Sequence, residues 1–443
     1  MVSITFLGGA REVGRSSILV SKDDMTILLD AGISVGAVDD DKRCPLDPPE
    51  KPKFLMVTHA HLDHCGYVPR VVRNFDIPYY ATPPTQDLSE LLFYDSIRIL
   101  NENDMPLPYT QKDVHYLRKK SVNVRYRVNM PLNSTSSFTM VSAGHILGSS
   151  MILLKLGTHR LLYTGDFSMQ HSRTLRMADL HIPHVNTVIM ESTYASPADK
   201  RPSMQKIEQD FIKAIKDTYE RGGKIMVAAY AVGRAQQVLL TLDAYMRSKH
   251  IPEIPIYIDG LIRDVNEKYK LYWEWLKPEI QKQIRYTQHN PFESEFFFPV
   301  KRRKDIIKSK DPIIIVSTSG MLQGGPILYY LKHFGIDENN LLVLTGYQVE
   351  GTRGRQLLEG NRDLTVGNEV ITVHAEIKNF EFSGHSDFVG LFRFLASEPL
   401  KYVKNIILVH GESAKIDSFS ERIASKRKDV DVYAPSVGET IKL

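Results

Sequence analysis

Residues 59–64, with the sequence HAHLDH, constrain this chain more than any other feature. They directly follow residues 54–58, an apolar run that predicts a buried strand, so three histidines and an aspartate lie on a loop leaving a strand end. Alternation along an extended chain sends His59 and His61 to the same side, while the following turn carries Asp63 and His64 to another. Imidazole and carboxylate together suit zinc, and zinc with an open coordination position makes water acidic enough to attack a substrate near neutral pH. The segment therefore predicts ligands for two metal ions.

Three further candidate ligands follow apolar, strand-like runs, and each has a glycine beside it. His145 follows residues 138–141, Asp166 follows residues 160–164, and His410 follows residues 405–409. Strand-end loops are where α/β proteins place ligand sites, and glycine allows close approach of the backbone. A single histidine after a strand is more often structural. Matching chemistry at four such positions, counting the opening loop, favours a binuclear metal site.

Composition and charge bound the function only loosely. The 443 residues allow two or three domains, and no apolar stretch is long enough to span a bilayer. The two cysteines, Cys44 and Cys65, indicate a reducing compartment, so we expect a cytoplasmic protein without membrane contact, in which Cys65 packs rather than binds metal. The net charge of +4 is a weak indication of nucleic acid, and the basic runs at 118–120 and 301–304 fit either a solvated face or a phosphate path.

The pattern of apolar runs predicts an insertion. Residues 1–190 alternate short apolar runs with turns, which is typical of a β-rich sandwich with flanking helices. Strands predicted at 224–229, 256–258, 313–316 and 341–344 alternate with helices and indicate a separate parallel α/β layer whose polar loops share one edge. The chain then supplies a helix and a last strand that carries His410. Because His410 belongs with the N-terminal ligands, we expect domains at 1–195, 196–379 and 380–443, the middle one inserted into the other.

The ordered motifs resemble those of a known superfamily. HAHLDH, GHILGS at 144–149, TGDF at 164–167 and LVHGE at 408–412 resemble the metallo-β-lactamase superfamily. Its β-CASP nucleases are similar to this chain in ESTY at 191–194, AVGRAQ at 231–236, SGML at 319–322, GYQ at 346–348 and FSGHSD at 382–387. The spacing looks most like the archaeal homologues of the cleavage and polyadenylation specificity factor endonuclease, in the form without N-terminal KH domains. The resemblance implies an αββα sandwich with an inserted parallel α/β domain.

The same resemblance assigns roles to the site residues. It implies two Zn²⁺ ions, one held by His59, His61 and His145, the other by Asp63, His64 and His410, with Asp166 bridging them. His385 is either the acid that protonates the departing 3′ oxygen or a group that binds a phosphate oxygen, and both roles stay open. Glu191 is expected to orient a ligand histidine by accepting its other N–H, and Asp30 to support the ligand loop.

Substrate contacts are expected from the inserted domain. Hydroxyls and backbone N–H groups after strand ends form a usable phosphate cradle, here at Ser317, Ser319, Gly320 and Gly346. Arg234 and Arg353 either pair with phosphates or form salt bridges elsewhere in the protein.

The function that the resemblance implies is zinc-dependent hydrolysis of single-stranded RNA. Endonucleolytic cleavage in 3′-end formation or decay is the first choice, and a 5′→3′ exoribonuclease is the close alternative. A catalytically silent RNA-binding subunit is disfavoured because every ligand position and His385 are intact. An inserted domain also argues against a small thioester or lactam substrate, whereas DNA stays open because no motif reports contact with the 2′-hydroxyl. Other RNA-processing factors and a second copy of the chain are further expected partners.

Overall fold

The structure is a computed structural model, and it describes residues 1–34, 40–102, 105–106, 108–287, 289–367 and 369–443. The chain divides into two compact units. The first unit consists of Met1–His171, Leu175–Lys200 and Gly384–Leu443, and the second of Ser172–Thr174 and Arg201–Ser383. The second unit is therefore inserted in the chain of the first. The domain boundaries at 195/196 and 379/380 remain a proposal, since the compact units change near 200 and 384.

The strands of the described residues are β1 (Ser3–Gly8), β2 (Ser17–Lys22), β3 (Met25–Leu29), β4 (Phe54–Met56), β5 (Tyr79–Ala81), β6 (Ser121–Asn123), β7 (Asn129–Pro131), β8 (Ser136–Ser142), β9 (Ser150–Leu156), β10 (His159–Tyr163), β11 (Thr187–Glu191), β12 (Ile225–Ala228), β13 (Ile256–Asp259), β14 (Phe297–Pro299), β15 (Ile314–Ser317), β16 (Leu341–Leu344), β17 (Asp363–Val366), β18 (Glu369–Thr372), β19 (Glu376–Asn379), β20 (Asn405–Val409), β21 (Asp431–Tyr433) and β22 (Thr440–Lys442).

The α-helices are α1 (Asp40–Arg43), α2 (Leu62–Cys65), α3 (Val68–Phe75), α4 (Pro83–Glu102), α5 (Gln111–Lys120), α6 (Met204–Glu220), α7 (Arg234–Arg247), α8 (Ile262–Leu271), α9 (Pro278–Thr287), α10 (Arg303–Ile306), α11 (Ile327–Phe334), α12 (Arg353–Leu358), α13 (Phe388–Leu395) and α14 (Ser413–Lys426). No helix in the described part of the chain is both long and apolar enough to cross a membrane.

The first unit is an αββα sandwich of two seven-stranded sheets. The strand order is β22-β1-β2-β3-β4-β5-β6 in one sheet and β21-β20-β11-β10-β9-β8-β7 in the other. Between the sheets, Phe6 and Ile27 from the first pack with Leu154 and Ile189 from the second. Successive side chains of a strand point to opposite faces, so Leu28, the neighbour of Ile27, packs outward with residues of α3, α4 and α5. Helices α13 and α14 cover the outer face of the second sheet.

Strand ends of the first unit carry the predicted ligands. β4 precedes the loop 59–64, β8 precedes His145, β10 precedes Asp166 and β20 precedes His410. The strands β10, β11 and β20 are parallel neighbours, so they end at the same edge of their sheet. The loops after β10 and β20, and Glu191 at the end of β11, are therefore brought together by the sheet itself.

The second unit is a parallel α/β layer. Its six strands run in the order β14-β13-β15-β12-β16-β19, and every neighbouring pair is parallel. The nearly continuous apolar sequence of β15 and β16 follows from burial on both faces, with α6 and α7 packed on one side and α11 on the other. Because parallel strands end together, the loops after β12, β13, β15 and β16 share one edge, as the sequence predicts.

Several predicted elements differ from the observed ones. The strand predicted at 54–58 ends at Met56, because the backbone N–H of Thr58 donates to the side chain of Asp30 rather than continuing the sheet. The strand before His410 is not the last one, since β21 and β22 follow it and β22 pairs with β1. By contrast, the strand predicted at 341–344 begins and ends at the same residues as β16.

Candidate metal centre

The loop after β4 brings four candidate ligands into a small volume. His59 is fully buried, and helix α2 begins directly after His61. Gly32 lets this loop lie against the backbone next to it, since a Cβ at that glycine would lie 1.8 Å from the carbonyl oxygen of Asp63. Any side chain at residue 32 would therefore displace the segment that carries Asp63.

His59, His61 and His145 form one group of imidazoles. Nε2 of His145 lies 3.1 Å from Nδ1 of His61. Oδ2 of Asp166 lies 3.4 Å from Nε2 of His59 and 3.5 Å from Nε2 of His145. Each of the four residues offers a ligand atom within 4.8 Å of the others. Three imidazoles and one carboxylate oxygen that converge in this way suit a four-coordinate zinc ion.

His64 and His410 form a second group with Asp166, and Asp63 lies beside His64 and His410. Nε2 of His410 lies 3.3 Å from Oδ2 of Asp63. Oδ1 of Asp166 lies 3.2 Å from Nε2 of His64 and 3.3 Å from Nδ1 of His410. The backbone of His410 has a left-handed φ of 51°, and its N–H donates to the carbonyl of Gly9 at 2.6 Å. A non-glycine residue held in this conformation indicates a position that the surrounding structure enforces.

Asp166 faces both groups, one with each carboxylate oxygen. Oδ2 approaches His59 and His145, whereas Oδ1 approaches His64 and His410. A carboxylate in this position is able to bridge two metal ions, because each ion receives an oxygen of its own.

Burial and neighbouring charges determine which protonation states the cluster favours. Burial lowers the pKa of His59 and lowers the pKa of His145 well below its ordinary value. Burial opposes ionisation of Asp166, but the surrounding imidazoles prevail and hold the pKa of this carboxyl well below its usual range. Burial also lowers the pKa of His64, but the carboxylates of Asp166 and Asp30 together have the larger effect. They leave the pKa of His64 well above its ordinary value. A metal ion that binds here would displace the proton of His64.

Four buried polar atoms of the cluster have no hydrogen-bond partner among the described residues. They are Nε2 of His59, Nε2 of His64, Nδ1 of His145 and Oδ1 of Asp166. A buried polar group left unsatisfied is destabilising by about 1–3 kcal/mol, so four of them in one cluster indicate a group that completes it. All four are imidazole nitrogens or carboxylate oxygens, the kinds of atom that zinc binds. The residues present therefore fit a metal centre.

Asp30 holds His64 from behind the cluster. Its Oδ2 lies 2.7 Å from Nδ1 of His64 and accepts hydrogen bonds from the hydroxyls of Thr58 and Tyr163 at 2.9 and 2.8 Å. Its Oδ1 accepts the backbone N–H of Thr58 at 2.8 Å. Asp30 is fully buried and has a left-handed φ of 58°. The sequence predicted a supporting role for Asp30 but gave no indication of Thr58 and Tyr163 as its partners.

Asp30→Asn is expected to weaken metal retention by about 10–100-fold, because carboxylates behind ligand histidines usually have effects of this size. An amide has only one oxygen, so either orientation turns an N–H₂ group toward a donor, either the Thr58 N–H or the hydroxyls of Thr58 and Tyr163. Competition with a chromophoric chelator measures the change. Asp243→Asn is the matched control, since Asp243 is also buried but pairs with Arg247 in the second unit. Equal retention by the two variants would contradict the role of Asp30.

His385 and Glu191 form a separate pair beside the ligands. Nδ1 of His385 lies 2.7 Å from Oε2 of Glu191, while Nε2 of His385 lies 3.7 Å from Oδ2 of Asp166. The other oxygen of Glu191 accepts the backbone N–H of Phe167 at 2.9 Å. The sequence predicted that Glu191 orients one of the metal ligands, whereas its histidine partner in the structure is His385. Glu191 thus orients the candidate acid and also holds the loop that carries Asp166.

Ser386 fastens the His385 loop to the Asp166 loop. Its hydroxyl donates to the carbonyl of Phe167 at 3.1 Å and accepts the N–H of Met169 at 3.0 Å. The backbone N–H of Ser386 also donates to the carbonyl of Phe167, at 2.7 Å. Sequence reasoning did not single out Ser386, although its place beside His385 in the FSGHSD motif was the available indication. The position of His385 over the cluster is therefore built into the first unit.

Arg234 is the most unusual of the predicted substrate-binding residues. It begins α7 in the second unit and is only 5% exposed, yet its Nε and Nη1 have no hydrogen-bond partner within the described ranges. Its guanidinium carbon lies 5.6 Å from the ring centroid of Tyr230. Gly346 lies beside it, since a Cβ at that glycine would lie 3.9 Å from Nε of Arg234. A buried guanidinium without an acid partner suits an anionic ligand.

The remaining predicted substrate contacts are engaged with their own unit. The guanidinium of Arg353 donates to the carbonyls of Thr365 and Leu322 at 2.7 and 3.1 Å, so it is held by backbone rather than by a carboxylate. Ser319 donates through its hydroxyl to the carbonyl of Gly324 at 3.2 Å. Ser317 is the buried last residue of β15, and Gly320 packs against Tyr230, where a Cβ would lie 2.8 Å from the ring. A phosphate cradle formed by these residues remains a proposal.

Family models match most of the chain in three segments. Residues 19–194 match a metallo-β-lactamase superfamily domain, residues 235–357 a β-CASP domain, and residues 370–435 a Zn-dependent metallo-hydrolase RNA specificity domain. The first segment contains six of the seven predicted metal ligands, the second contains β13 to β16 of the second unit, and the third contains His385 and His410.

Relatives match over the full length of the chain. It is 37% identical to the transcription termination factor FttA of Methanocaldococcus jannaschii, over 100% of this chain and 72% of that protein. It is 34% identical to an RNase J-like protein of the same organism, over 100% of both chains. A crystal structure of a protein of unknown function from Enterococcus faecalis superposes with a TM-score of 0.62 over 100% of both chains at 15% identity, which supports the fold alone.

The sandwich fold and the histidine–aspartate cluster define a metallo-hydrolase of the metallo-β-lactamase type. With the matched domains and relatives, the chain belongs to the β-CASP family within that superfamily, whose members are metal-dependent hydrolases of nucleic-acid phosphodiesters. The fold class predicted from the sequence, an αββα sandwich with an inserted parallel α/β domain, is thereby confirmed.

Proposed function

We propose that the protein is a zinc-dependent ribonuclease that cleaves single-stranded RNA endonucleolytically. The observation that carries the proposal is the convergence of two ligand groups on the two oxygens of Asp166, with His385 beside them. The RNA specificity domain at residues 370–435 supports RNA as the substrate. Relatives named transcription termination factors support a role in forming or trimming RNA 3′ ends.

Two zinc ions fit the cluster best. His59, His61 and His145 would hold one, Asp63, His64 and His410 the other, with Asp166 shared between them. Zinc in such a centre supplies Lewis acidity, which makes water acidic enough to act as the nucleophile near neutral pH and offsets negative charge on a phosphodiester. The model that matches residues 370–435 describes a Zn-dependent metallo-hydrolase domain, which supports zinc as the metal.

The residues of the chain have distinct parts in this reaction. Asp30 and Thr193 keep two ligand imidazoles in place, since Thr193 Oγ1 lies 3.3 Å from Nδ1 of His410. Glu191 fixes His385 through Nδ1, which leaves Nε2 directed toward the ligand cluster. From that position His385 either protonates the departing 3′ oxygen or donates a hydrogen bond to a phosphate oxygen. Asp63 would take part in catalysis as a ligand of the second zinc ion.

Single-stranded RNA also fits the second unit. The buried guanidinium of Arg234, whose Nε and Nη1 have no partner among the described residues, lies beside Gly346 at the edge where the parallel strands end. This is a suitable subsite for one phosphate. The loops after β12, β15 and β16 share this edge, and their backbone N–H groups are further candidates for contact with phosphate. A small ester or lactam would have no use for such a subsite, which argues against that class of substrate.

The proposal is tested by incubating the zinc-loaded protein with internally labelled single-stranded RNA that carries either a 5′-monophosphate or a 5′-hydroxyl. We expect internal fragments whose pattern is independent of the 5′ end. Mononucleotides released only from the phosphorylated RNA would instead establish the alternative, a 5′→3′ exoribonuclease. A parallel reaction on DNA of the same sequence reports the selectivity for the sugar.

The matched control is the double variant His64→Ala, His385→Ala, which removes one ligand and the candidate acid. It should leave the RNA intact. If the RNA stays intact with the wild-type protein as well as with the variant, the proposed active centre is wrong. A catalytically silent RNA-binding subunit would then explain the protein better.

A further inference from the structure

The segment of residues 301–310 has a larger net positive charge than the whole chain. Its sequence, KRRKDIIKSK, contains six lysines and arginines and one aspartate, a net charge of +5, whereas the whole chain carries only +4. Every lysine and arginine in the segment is exposed. The remainder of the chain is therefore close to neutral, and this excess is local rather than a property of the whole surface.

The structure anchors this segment at the edge of the sheet in the second unit. Asp259, the last residue of β13, accepts hydrogen bonds from Nε and Nη2 of Arg303 at 2.7 and 3.2 Å and from the hydroxyl of Tyr330 at 2.8 Å. The N–H of Val300 donates to the carbonyl of Ile258. Arg303 thus anchors the segment to β13, and the other lysines and arginines of the segment face solvent.

Three lysines around this anchor have no acidic partner. Lys301, Lys304 and Lys308 take part in no ion pair within the described residues, whereas Arg302 pairs with Asp305 at 2.8 Å. With Tyr329, they line an open cavity of about 640 Å³. Unpaired ammonium groups around an aromatic ring are the combination that binds the backbone and the bases of single-stranded nucleic acid.

The cavity lies on the same sheet edge as the phosphate subsite of Arg234. Asp259 at the end of β13 is in register with Ser317 at the end of β15, and Gly260 contacts the side chain of Thr318. The next strands along this edge are β12, which leads to Arg234, and β16, which leads to Gly346. Three strand spacings separate β13 from β16, roughly 14 Å. A single strand of RNA could therefore contact both places at once.

We propose that the cavity lined by Lys301, Lys304, Lys308 and Tyr329 is a second RNA-binding surface, which holds the backbone of single-stranded RNA beyond the phosphate at Arg234. This inference rests on the proposed ribonuclease function and extends its substrate from one phosphodiester to a track along the sheet edge. An acidic protein segment is the other anionic partner of comparable chemistry. Continuity with the phosphate subsite of the same unit favours RNA.

The test compares two triple variants in a His385→Ala background, so that RNA is not consumed. The first is Lys301→Gln, Lys304→Gln, Lys308→Gln. The probe is a fluorescein-labelled 20-nucleotide oligouridylate, and its affinity is followed by anisotropy from about 50 to 200 mM salt. We expect the triple variant to bind about tenfold more weakly at the lowest salt. The slope of log affinity against log salt should fall by about two, because three phosphate contacts are lost.

The matched control is Lys213→Gln, Lys216→Gln, Lys282→Gln, which removes the same charge from exposed positions on α6 and α9 of the same unit. It should retain the affinity and the slope of the background protein. Equal binding by the two triple variants would overturn the inference, while RNA cleavage by the wild-type protein would leave the proposed function standing. If the background protein does not bind RNA and the wild-type protein does not cleave it, both the second RNA-binding surface and the ribonuclease function are rejected.

Discussion

Asp166→Asn is expected to remove at least about half of the bound zinc and to lower RNA cleavage by more than about 10³-fold. The reason is that the two oxygens of Asp166 lie 3.4 Å from Nε2 of His59 and 3.2 Å from Nε2 of His64, so each oxygen faces a different ligand group. Asparagine has nearly the same size but only one oxygen. Its N–H₂ group would face one of the imidazoles and is unable to bind a metal ion.

Zinc per chain is measured by elemental analysis after dialysis, beside the initial rate on a labelled single-stranded RNA. Asp417→Asn is the matched control, because Asp417 is half exposed and, among the described residues, forms its ion pair with Arg11 at the surface of the same unit. Circular dichroism establishes that both variants fold. Unchanged zinc content in folded Asp166→Asn would rule out a bridging carboxylate, and full activity with reduced zinc would rule out a binuclear mechanism.

Much of this centre could be predicted because each ligand follows a buried apolar run. Residues 405–409 are such a run, and they form β20 with His410 directly after it. The runs before Asp166 and His145 behave in the same way, since β10 ends at Tyr163 and β8 at Ser142. A strand that is buried on both faces has a continuous apolar sequence. A polar ligand directly after such a strand can therefore be recognised as the residue that ends the apolar stretch.

Contacts between distant parts of the chain could not be predicted in this way. The hydroxyl of Tyr163 reaches Asp30 across 133 residues of sequence, and β22 completes the first sheet by pairing with β1. The family resemblance predicts that Glu191 orients a ligand histidine, whereas its partner is His385, and no local pattern indicates which buried histidine lies beside it. The hairpin of β17 and β18 is half exposed, so its alternation of polar and apolar residues over four residues per strand gave too short a pattern to identify.

His385→Ala is expected to keep its zinc and to lose about 10²–10⁴-fold in RNA cleavage, the range typical of a missing proton donor. The zinc should stay because the seven proposed ligands do not include His385, whose Nδ1 lies 2.7 Å from Oε2 of Glu191. Loss of zinc from this variant would make His385 a ligand and contradict its separate role. Glu191→Gln should show a smaller loss, about 10–100-fold, since it removes only the group that orients the imidazole.

The leaving group distinguishes the two roles that remain for His385. A 3′ oxygen of RNA needs a proton as it departs, whereas the nitrophenolate of bis(p-nitrophenyl) phosphate leaves without one. If His385 is the acid, the Ala variant should lose less than about tenfold on the activated diester while it loses about 10²-fold or more on RNA. If Nε2 of His385 only binds a phosphate oxygen, both substrates carry that oxygen and both rates should fall by the same factor. Nε2 of His385 lies 3.7 Å from Oδ2 of Asp166, next to the ligand groups, while Nδ1 is held by Glu191. We expect the first result, with Nε2 as the nitrogen that carries the proton.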